Sequence, residues 1–239
     1  AQVQWVMLAY LLAVTLAIVL AGRMGDLHGH RRMLAAGIAL FTLASAAAAL
    51  APGLGWLIAA RAAQGLGAAT LMALPLSLAK DLVAKERMGA AMGLLGTMSA
   101  IGTALGPSVG GLLIGAMGWR SAFALLTVLG AGLLMLALKA LPAAKDRARA
   151  TRAPLALGLL HDRAVATPLA MNLLVGAVMM STLVVGPFFL AFGLGLSEAH
   201  TGLVMATGPV AAALSGLPAG RITDRFGAQA SLRAGLALE

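Results

Sequence analysis

Residues 22–32 read GRMGDLHGHRR, and residues 220–227, late in the chain, repeat the pattern as GRITDRFG. Both stretches fit Gly-Arg-apolar-x-Asp-x-x-Gly, and each directly follows a long apolar run. Self-similarity at a fixed, large separation is typical of a duplicated architecture. The two stretches therefore predict two related halves, each with a polar segment in the same setting.

The composition disfavours a water-soluble globule. Of the 239 residues, 61% are hydrophobic and 10% are charged, and the mean hydropathy is +0.96. A soluble domain carries about 25% charged residues, so this chain has too little polar surface to cover a folded globule of its size. The chain has no cysteine, which excludes disulfides and thiolate metal sites.

Apolar runs long enough to cross a bilayer recur along the chain. A spanning helix needs about 20 apolar residues, because every backbone polar group must be bonded within the segment. The runs predict an all-α polytopic membrane protein with seven spans, and an eighth that begins near Ala228. The predicted spans are residues 5–21, 33–50, 56–78, 88–117, 121–138, 164–193 and 201–219.

The basic residues alternate between the two sides of this topology. Fifteen of the 17 Lys and Arg residues lie in the loops after residues 21, 78, 138 and 219, Arg120 lies on the opposite side, and Arg61 lies within a span. The positive-inside rule predicts that the basic loops are cytoplasmic, in a bacterial-type inner (plasma) membrane. Nucleic-acid binding would need these charges on one folded face, so the net charge of +9 predicts orientation and no nucleic-acid partner.

A polar stretch divides the chain into two helical halves. Residues 141–163 hold Pro142, Pro154 and many basic residues, and they predict a cytoplasmic linker. Residues 1–140 hold five spans before it, and residues 164–239 hold two spans and the start of a third. The repeat requires one more span before residue 5, so we expect the chain to be a fragment of a longer protein.

The first polar stretch resembles the loop signature of the major facilitator superfamily, Gly-x-Leu-x-Asp-Arg-x-Gly-Arg-Lys/Arg. The matching positions are Gly22, Asp26, Gly29 and Arg31. Met24 replaces Leu conservatively, whereas Leu27 and His30 replace two basic positions, and residues 220–227 resemble the weaker copy in the second half of the family fold.

This resemblance implies a gating contact. A carboxylate at Asp26 can pair with Arg31 or face the positive N-terminal end of a neighbouring helix, and Asp224 with Arg225 would be the counterpart. The alternative is a set of loop charges that only fixes topology.

Residues 61–67, RAAQGLG, resemble a second family signature, Arg-x-x-Gln-Gly-x-Gly. Arg61 lies five residues beyond Trp56, about 7–8 Å inside the outer boundary at 1.5 Å per residue. A charge at this depth usually faces the bundle interior, and Gln64 shares its helix face. The resemblance implies that Arg61 and Gln64 assist proton coupling. The alternative is an arginine that extends to the lipid headgroups.

Residues 102–111, GTALGPSVGG, resemble the antiporter signature Gly-x-x-x-Gly-Pro-x-x-Gly-Gly of drug/proton exporters. Gly102, Gly106 and Gly110 form one small face that permits close helix approach. Pro107 bends the helix, and Gly111 completes the signature. The resemblance implies an interface on which two halves move. A packing seam without a transport role is the alternative.

Substrate-contacting residues are less marked. Asn172 is an amide deep in its span, and Met179 and Phe188 belong to an apolar cluster that fits a greasy, adaptable pocket. Packing against other helices or lipid is the alternative for all three. No Asp or Glu lies within any predicted span, so the sequence does not identify a proton carrier.

These features predict a secondary transporter that couples protons to the efflux of small, mostly apolar compounds by alternating access. Its partners would be the substrate, protons and the lipid bilayer. We expect no enzyme activity, no cofactor and no metal site, since no phosphate-binding Gly-rich loop appears and the histidines lie in loops. The alternatives are an exporter of a specific metabolite or sugar, or a truncated, non-transporting membrane module.

Overall fold

The computed structural model describes residues 4–140, 185–186, 189–196, 198–227 and 230–231, and within these ranges it contains helices and no strand. Six α-helices are named here in chain order: α1 Gln4–His28, α2 His30–Ala49, α3 Leu54–Leu82, α4 Met88–Met117, α5 Trp119–Ala140 and α6 Glu198–Phe226. A 3₁₀ turn at Lys85–Arg87 leads into α4, and a π-helical turn at Phe189–Gly193 precedes α6. The all-α prediction is confirmed.

Five of these segments are long and apolar enough to cross a membrane, namely Gln4–His28, His30–Ala49, Leu54–Leu82, Lys85–Gly106 and Trp119–Ala140. They correspond to the first five predicted spans. The predicted span 201–219 is helical within α6, but α6 is not one of these five, and its membrane crossing stays a prediction. The linker 141–163, most of the span 164–193 and most of the chain after Ala228 lie outside the described residues.

The helices extend beyond the apolar runs that predicted them. The polar segment after residue 21 is helical up to His28, and α2 begins at His30. Gly29 alone forms the turn, with a φ of 90° that a side chain would disfavour. Hydropathy marks only where the apolar side chains end. The helix itself ends where the backbone turns, which here is at Gly29.

Helices α1, α2, α3 and α5 form one packed group, in which α3 contacts α1 and α2, and α2 contacts α5. Close approach depends on small residues. A Cβ added at Gly67 of α3 would lie 2.8 Å from the carbonyl oxygen of Gly37 in α2. A Cβ at Gly130 of α5 would collide with Thr42 of α2. Such contacts let backbones pack where lipid removes the hydrophobic drive between helices.

The outer surfaces are apolar. In α1, Leu16 is 72% exposed, and Leu12 and Val19 are each more than half exposed. In α4, α5 and α6, large apolar side chains are likewise exposed. A contiguous apolar exterior fits contact with lipid or with further helices.

Candidate functional site

Arg61 lies among three helices of the packed group. Its Nε donates a hydrogen bond of 3.2 Å to the backbone carbonyl of Val6 in α1, and its Nη1 donates to Oε1 of Gln64. The guanidinium carbon is 4.1 Å from the ring centre of Tyr10 in α1 and 5.9 Å from that of Phe123 in α5. The charge is therefore held by a carbonyl, an amide and two ring faces.

Gln64 extends this contact into the core. Its Nε2 donates a hydrogen bond of 2.7 Å to Oγ of Ser45 in α2, and Ser45 donates to the carbonyl of Phe41. Gln64 is 1% exposed and Ser45 is fully buried. Buried polar groups are costly unless they are bonded. The chain of bonds therefore ties Arg61 to the rigid contact between α2 and α3.

The side chains that surround this charge, named here the Arg61 cluster, are those of Arg61, Gln64, Ser45, Tyr10 and Phe123. The cluster contains no acid in the part of the chain that the structure describes. Arg61 has no Asp or Glu within 4.0 Å there. An arginine in a spanning segment without a paired carboxylate is energetically costly and usually marks a functional position. The structure brings Arg61 and Gln64 together, as their spacing predicts.

At the junction of α1 and α2, Asp26 contacts His30 rather than Arg31. Asp26 Oδ1 is 3.0 Å from His30 Nε2, and Asp81 Oδ2 at the end of α3 is 2.7 Å from His30 Nδ1. The pair of Asp26 with Arg31, one of the two contacts that the sequence allows, is not formed. Asp26 lies in the last turn of α1 and His30 is the first residue of α2, so the turn at Gly29 brings the imidazole onto the carboxylate, while Arg31 reaches α5.

Arg31 instead connects α2 to α5. Its Nη2 donates a hydrogen bond of 3.1 Å to the carbonyl of Leu138, in the last turn of α5. Carbonyls in a last turn lack helical partners, and a cation there is favourable. Arg31 therefore holds the end of α5 at the position where the predicted linker begins.

Helices α4 and α6 form a separate close contact, named here the α4–α6 seam and made of Gly89, Gly93, Gly216 and Gly220. A Cβ at Gly93 would collide with the carbonyl oxygen of Gly216, and a Cβ at Gly220 would collide with that of Gly89. The two backbones therefore touch directly. Because α4 precedes the predicted linker and α6 follows it, the seam joins the two predicted halves.

Asp224 closes one end of the α4–α6 seam. Its Oδ1 accepts the backbone N–H of Gly89, and its Oδ2 accepts that of Ala90 at 2.7 Å. These N–H groups belong to the first turn of α4, which has no cap from its own side chains. A carboxylate from another helix thus satisfies them and meets the positive end of the helix dipole. Arg225, which the sequence groups with Asp224, lies over the ring of Phe226 instead.

The glycines of the antiporter signature lie farther along α4. A Cβ at Gly102, Gly106 or Gly110 would meet no described atom within 4 Å. Pro107 and Gly111 fall within the bounds of α4, but their side-chain environment is outside the described set. The proposed role of these residues in a moving interface stays a prediction. Asn172, Met179 and Phe188 also lie outside the described residues.

Several contributors were not identified from the sequence. Tyr10 and Ser45 have no local signal, because their contact with the Arg61 pair arises only from helix packing. The glycines of the α4–α6 seam do have a local signal in the sequence. Gly89 and Gly93 are four residues apart on one helix face, and so are Gly216 and Gly220. Asp26 and His30 are also four residues apart, but they lie in different helices on either side of Gly29, so their contact depends on that turn and not on helical spacing. Across the described ranges, no group of three or more His, Asp or Glu residues is arranged to hold a metal ion.

Comparison with known proteins supports the architecture. The multidrug resistance protein Stp of Mycobacterium tuberculosis (strain CDC 1551 / Oshkosh) is 42% identical over 137 residues, covering 56% of this chain and 25% of that protein. The riboflavin transporter RibZ of Clostridioides difficile (strain 630) is 34% identical over 141 residues, 59% of this chain and 31% of that protein. The tetracenomycin C resistance and export protein of Streptomyces glaucescens is 34% identical over 154 residues, covering 64% of this chain and 28% of that protein.

The chain thus matches about a quarter to a third of the length of these relatives. The family model described as Major Facilitator Superfamily matches residues 1–238. Apolar helices, the two related polar segments and a match over nearly every residue agree, and the chain belongs to the Major Facilitator Superfamily.

Proposed function

We propose that this chain is part of a secondary transporter that exports small, mostly apolar compounds in exchange for protons, by alternating access, in an inner (plasma) membrane. The single observation that carries the proposal is the α4–α6 seam, in which the two predicted halves touch through glycine backbone and are held by Asp224. A transporter that rocks needs a contact between its halves that closes tightly and opens again.

The Asp224 contact supports a reversible gate. Its two hydrogen bonds run from a side chain of one half to the first turn of a helix in the other half. A cap of this kind contributes about 1 kcal/mol, which is roughly a fivefold change in a two-state ratio. That is enough to bias the closed state and small enough to be reversed by substrate or proton binding.

The Arg61 cluster supports proton coupling. Its cation, held in a spanning helix without a described carboxylate, changes the energy of any acid or anion that approaches it. The release of a proton from a nearby acid and the binding of substrate would then both depend on the charge of Arg61. Gln64 and Ser45 fix the position of that charge relative to α2.

Export of drug-like compounds is supported by the relatives. The names of two of them describe multidrug resistance and tetracenomycin C export. Export of one particular metabolite is the second candidate, and the relative named as a riboflavin transporter supports a single metabolite as the substrate. The two functions differ in the breadth of substrates that drive proton flux.

The test is proton flux in proteoliposomes that contain the full-length protein and an internal pH dye. A proton gradient is imposed, and lipophilic cations, antibiotics and flavins are added one at a time. We expect several unrelated apolar compounds each to cause proton flux across the proteoliposome membrane. Arg61→Ala should lower the substrate-dependent flux at least about tenfold, which corresponds to about 1.4 kcal/mol. Arg61→Lys should retain part of it, because an ammonium keeps the charge but not the planar donor geometry.

Lys139→Gln is the matched control, since it removes one cation from an exposed position at the end of α5. Its flux should equal that of the unaltered protein. Flux with a flavin alone would favour the metabolite exporter. Full flux in Arg61→Ala would contradict the proposed mechanism. Folded protein that gives no flux with any compound would also contradict it, and would favour a non-transporting module.

A further inference from the structure

A cavity of about 490 Å³ lies at the end of the packed group where α5 begins. Helices α1 and α3 also begin at this end, and α2 ends there. The charge pattern of the loops predicts that this end faces away from the cytoplasm. The residues that line the cavity are Val6 of α1, residues 51–54, Leu57 of α3, and Trp119, Arg120 and Phe123 of α5.

Arg120 is the charged residue of this otherwise apolar wall. Its Nη2 donates a hydrogen bond of 2.8 Å to the carbonyl of Ala51, and its guanidinium carbon is 4.4 Å from the ring centre of Trp119. A guanidinium has five N–H donors, so donors remain for a further acceptor. Within the described ranges, no Asp or Glu lies within 4.0 Å of Arg120. The cavity therefore combines an apolar wall with a cation that no described carboxylate neutralises.

Two exposed tryptophans indicate the depth of the cavity in the membrane. Trp56, near the start of α3, is 57% exposed, and its Nε1 donates a hydrogen bond of 3.0 Å to the carbonyl of Ala47. Trp119, the first residue of α5, is 39% exposed. Exposed tryptophans at the ends of spanning helices lie at the level of the lipid headgroups. Arg120 is therefore at the depth of the lipid phosphates, and Phe123, one turn farther into α5, is at the depth of the acyl chains.

We infer that this cavity binds one anionic phospholipid of the outer leaflet. Its phosphate accepts hydrogen bonds from Arg120, because a guanidinium matches the geometry of phosphate oxygens. Its acyl chain lies against Leu57 and Phe123. The charge distribution favours an anionic lipid, since Arg120 is the one basic residue that the sequence assigns to the loops on this side. Lipid is also the molecule that is already present at this depth.

The bound lipid would also support the surroundings of Arg61, because the cavity shares part of its wall with them. The carbonyl of Val6 accepts a hydrogen bond from Arg61, and the ring centre of Phe123 is 5.9 Å from the guanidinium carbon. An acyl chain against Val6 and Phe123 restrains α1 and α5 on either side of that charge. A ligand that binds only the folded protein stabilises it, so the lipid should raise the unfolding temperature.

The test locates the lipid by photocrosslinking and does not depend on transport. The full-length protein is placed in phosphatidylcholine nanodiscs that contain a small amount of one probe. The probe is either phosphatidylglycerol or phosphatidylcholine, with the same diazirine-bearing acyl chain, and the crosslinked residues are identified by mass spectrometry. We expect the phosphatidylglycerol probe to label residues 51–57 and 119–123 about fivefold more than the phosphatidylcholine probe does, which is the effect of one basic residue near an anionic lipid.

Three variants separate the charge from the shape of the cavity. Arg120→Gln should give equal labelling by the two probes. Leu57→Trp keeps the cation but fills part of the cavity, so labelling by both probes should fall. Lys139→Gln is the matched control, because it removes a cation from an exposed position at the opposite end of α5, and it should keep the preference for phosphatidylglycerol. Added phosphatidylglycerol should raise the unfolding temperature in detergent for Lys139→Gln and not for Arg120→Gln.

Several results would overturn the inference. Absence of labelling at residues 51–57 and 119–123 would show that another segment of the full-length protein covers the cavity. Equal labelling by both probes in the unaltered protein, or a preference that persists in Arg120→Gln, would show that Arg120 does not bind the headgroup. Displacement of both probes by a soluble aromatic carboxylate such as naphthoate would assign the cavity to a soluble compound instead of a lipid.

Discussion

The two polar segments share a sequence pattern, yet their aspartates have different partners. Asp26 contacts His30 at the junction of α1 and α2, within the first predicted half. Asp224 accepts two backbone N–H groups from the first turn of α4, which belongs to the other predicted half. The pattern therefore places a carboxylate at the end of a helix, and the neighbouring helix decides what that carboxylate does.

The difference also shows which contact is replaceable. Asp26 meets a side chain, and side chains change between related sequences. Asp224 meets backbone N–H groups, which every residue except proline supplies. A contact made to the backbone depends on the position of α4 and not on the identity of a partner residue.

The largest effect in this comparison is expected at the seam that supports Asp224. Gly93→Ala places a methyl group against the backbone oxygen of Gly216, so α4 and α6 must separate. Overpacking of this kind costs about 1–3 kcal/mol. We expect a lower unfolding temperature for the full-length protein in detergent and a longer distance between spin labels at Leu94→Cys and Leu214→Cys.

Gly102→Ala is the control for that prediction. It lies in the same helix, and its added methyl group meets no described atom within 4 Å. Because alanine favours a helix over glycine by up to about 1 kcal/mol, this variant should be unchanged or slightly more stable. Equal destabilisation by both substitutions would show that the seam has no special role.

Charge removal at the two aspartates should give the next largest effect and should separate their roles. Asp224→Asn weakens the cap on α4 by about 1 kcal/mol and should increase the population with a long Leu94–Leu214 label distance roughly fivefold. Asp26→Asn should leave that distance unchanged, because its partner lies within α2. If Asp26→Asn opens the α4–α6 seam as strongly as Asp224→Asn does, the assignment of the two contacts to different roles is wrong.

The smallest effect is expected at the glycines of the first segment. Gly25→Ala would press on the imidazole of His30 and on a methyl group of Leu74. Both are side-chain atoms and not backbone, so we expect a smaller loss of stability than at Gly93, of about 1 kcal/mol. Gly22→Ala has open space around it and should have no measurable effect. Broader distances between spin labels at Leu27→Cys and Leu82→Cys in Gly25→Ala, but not in Gly22→Ala, would confirm that Gly25 positions the imidazole of His30. The opposite ranking would contradict this role.

Much of the fold could be predicted from the sequence, because the length of an apolar run indicates directly whether a helix can cross a bilayer. Five predicted spans coincide with five helices that are long and apolar enough to cross a membrane. Their ends were less accurate, as the extension of α1 to His28 illustrates. The run of apolar side chains ends before the helix ends, because the last turns of a membrane helix lie in the polar region of the bilayer.

The candidate site was predicted only where its partners are close in sequence. Arg61 and Gln64 are three residues apart and do meet, because the helix itself brings them together. Asp81 lies 51 residues from His30, and Asp224 lies 134 residues from Ala90. No local pattern encodes such pairs. They depend on which helices become neighbours, and that is settled by the packing of small residues along whole helix faces.

The glycine surface between α4 and α6 has a kinetic consequence. A contact between bare backbones has no rotamers to reorganise when it forms or breaks, and glycine loses no side-chain entropy on closing. Two such helices can slide past each other without the interlocking that long side chains impose. We therefore expect low friction along this surface, with the rate of any opening set by the hydrogen bonds that Asp224 makes at its end.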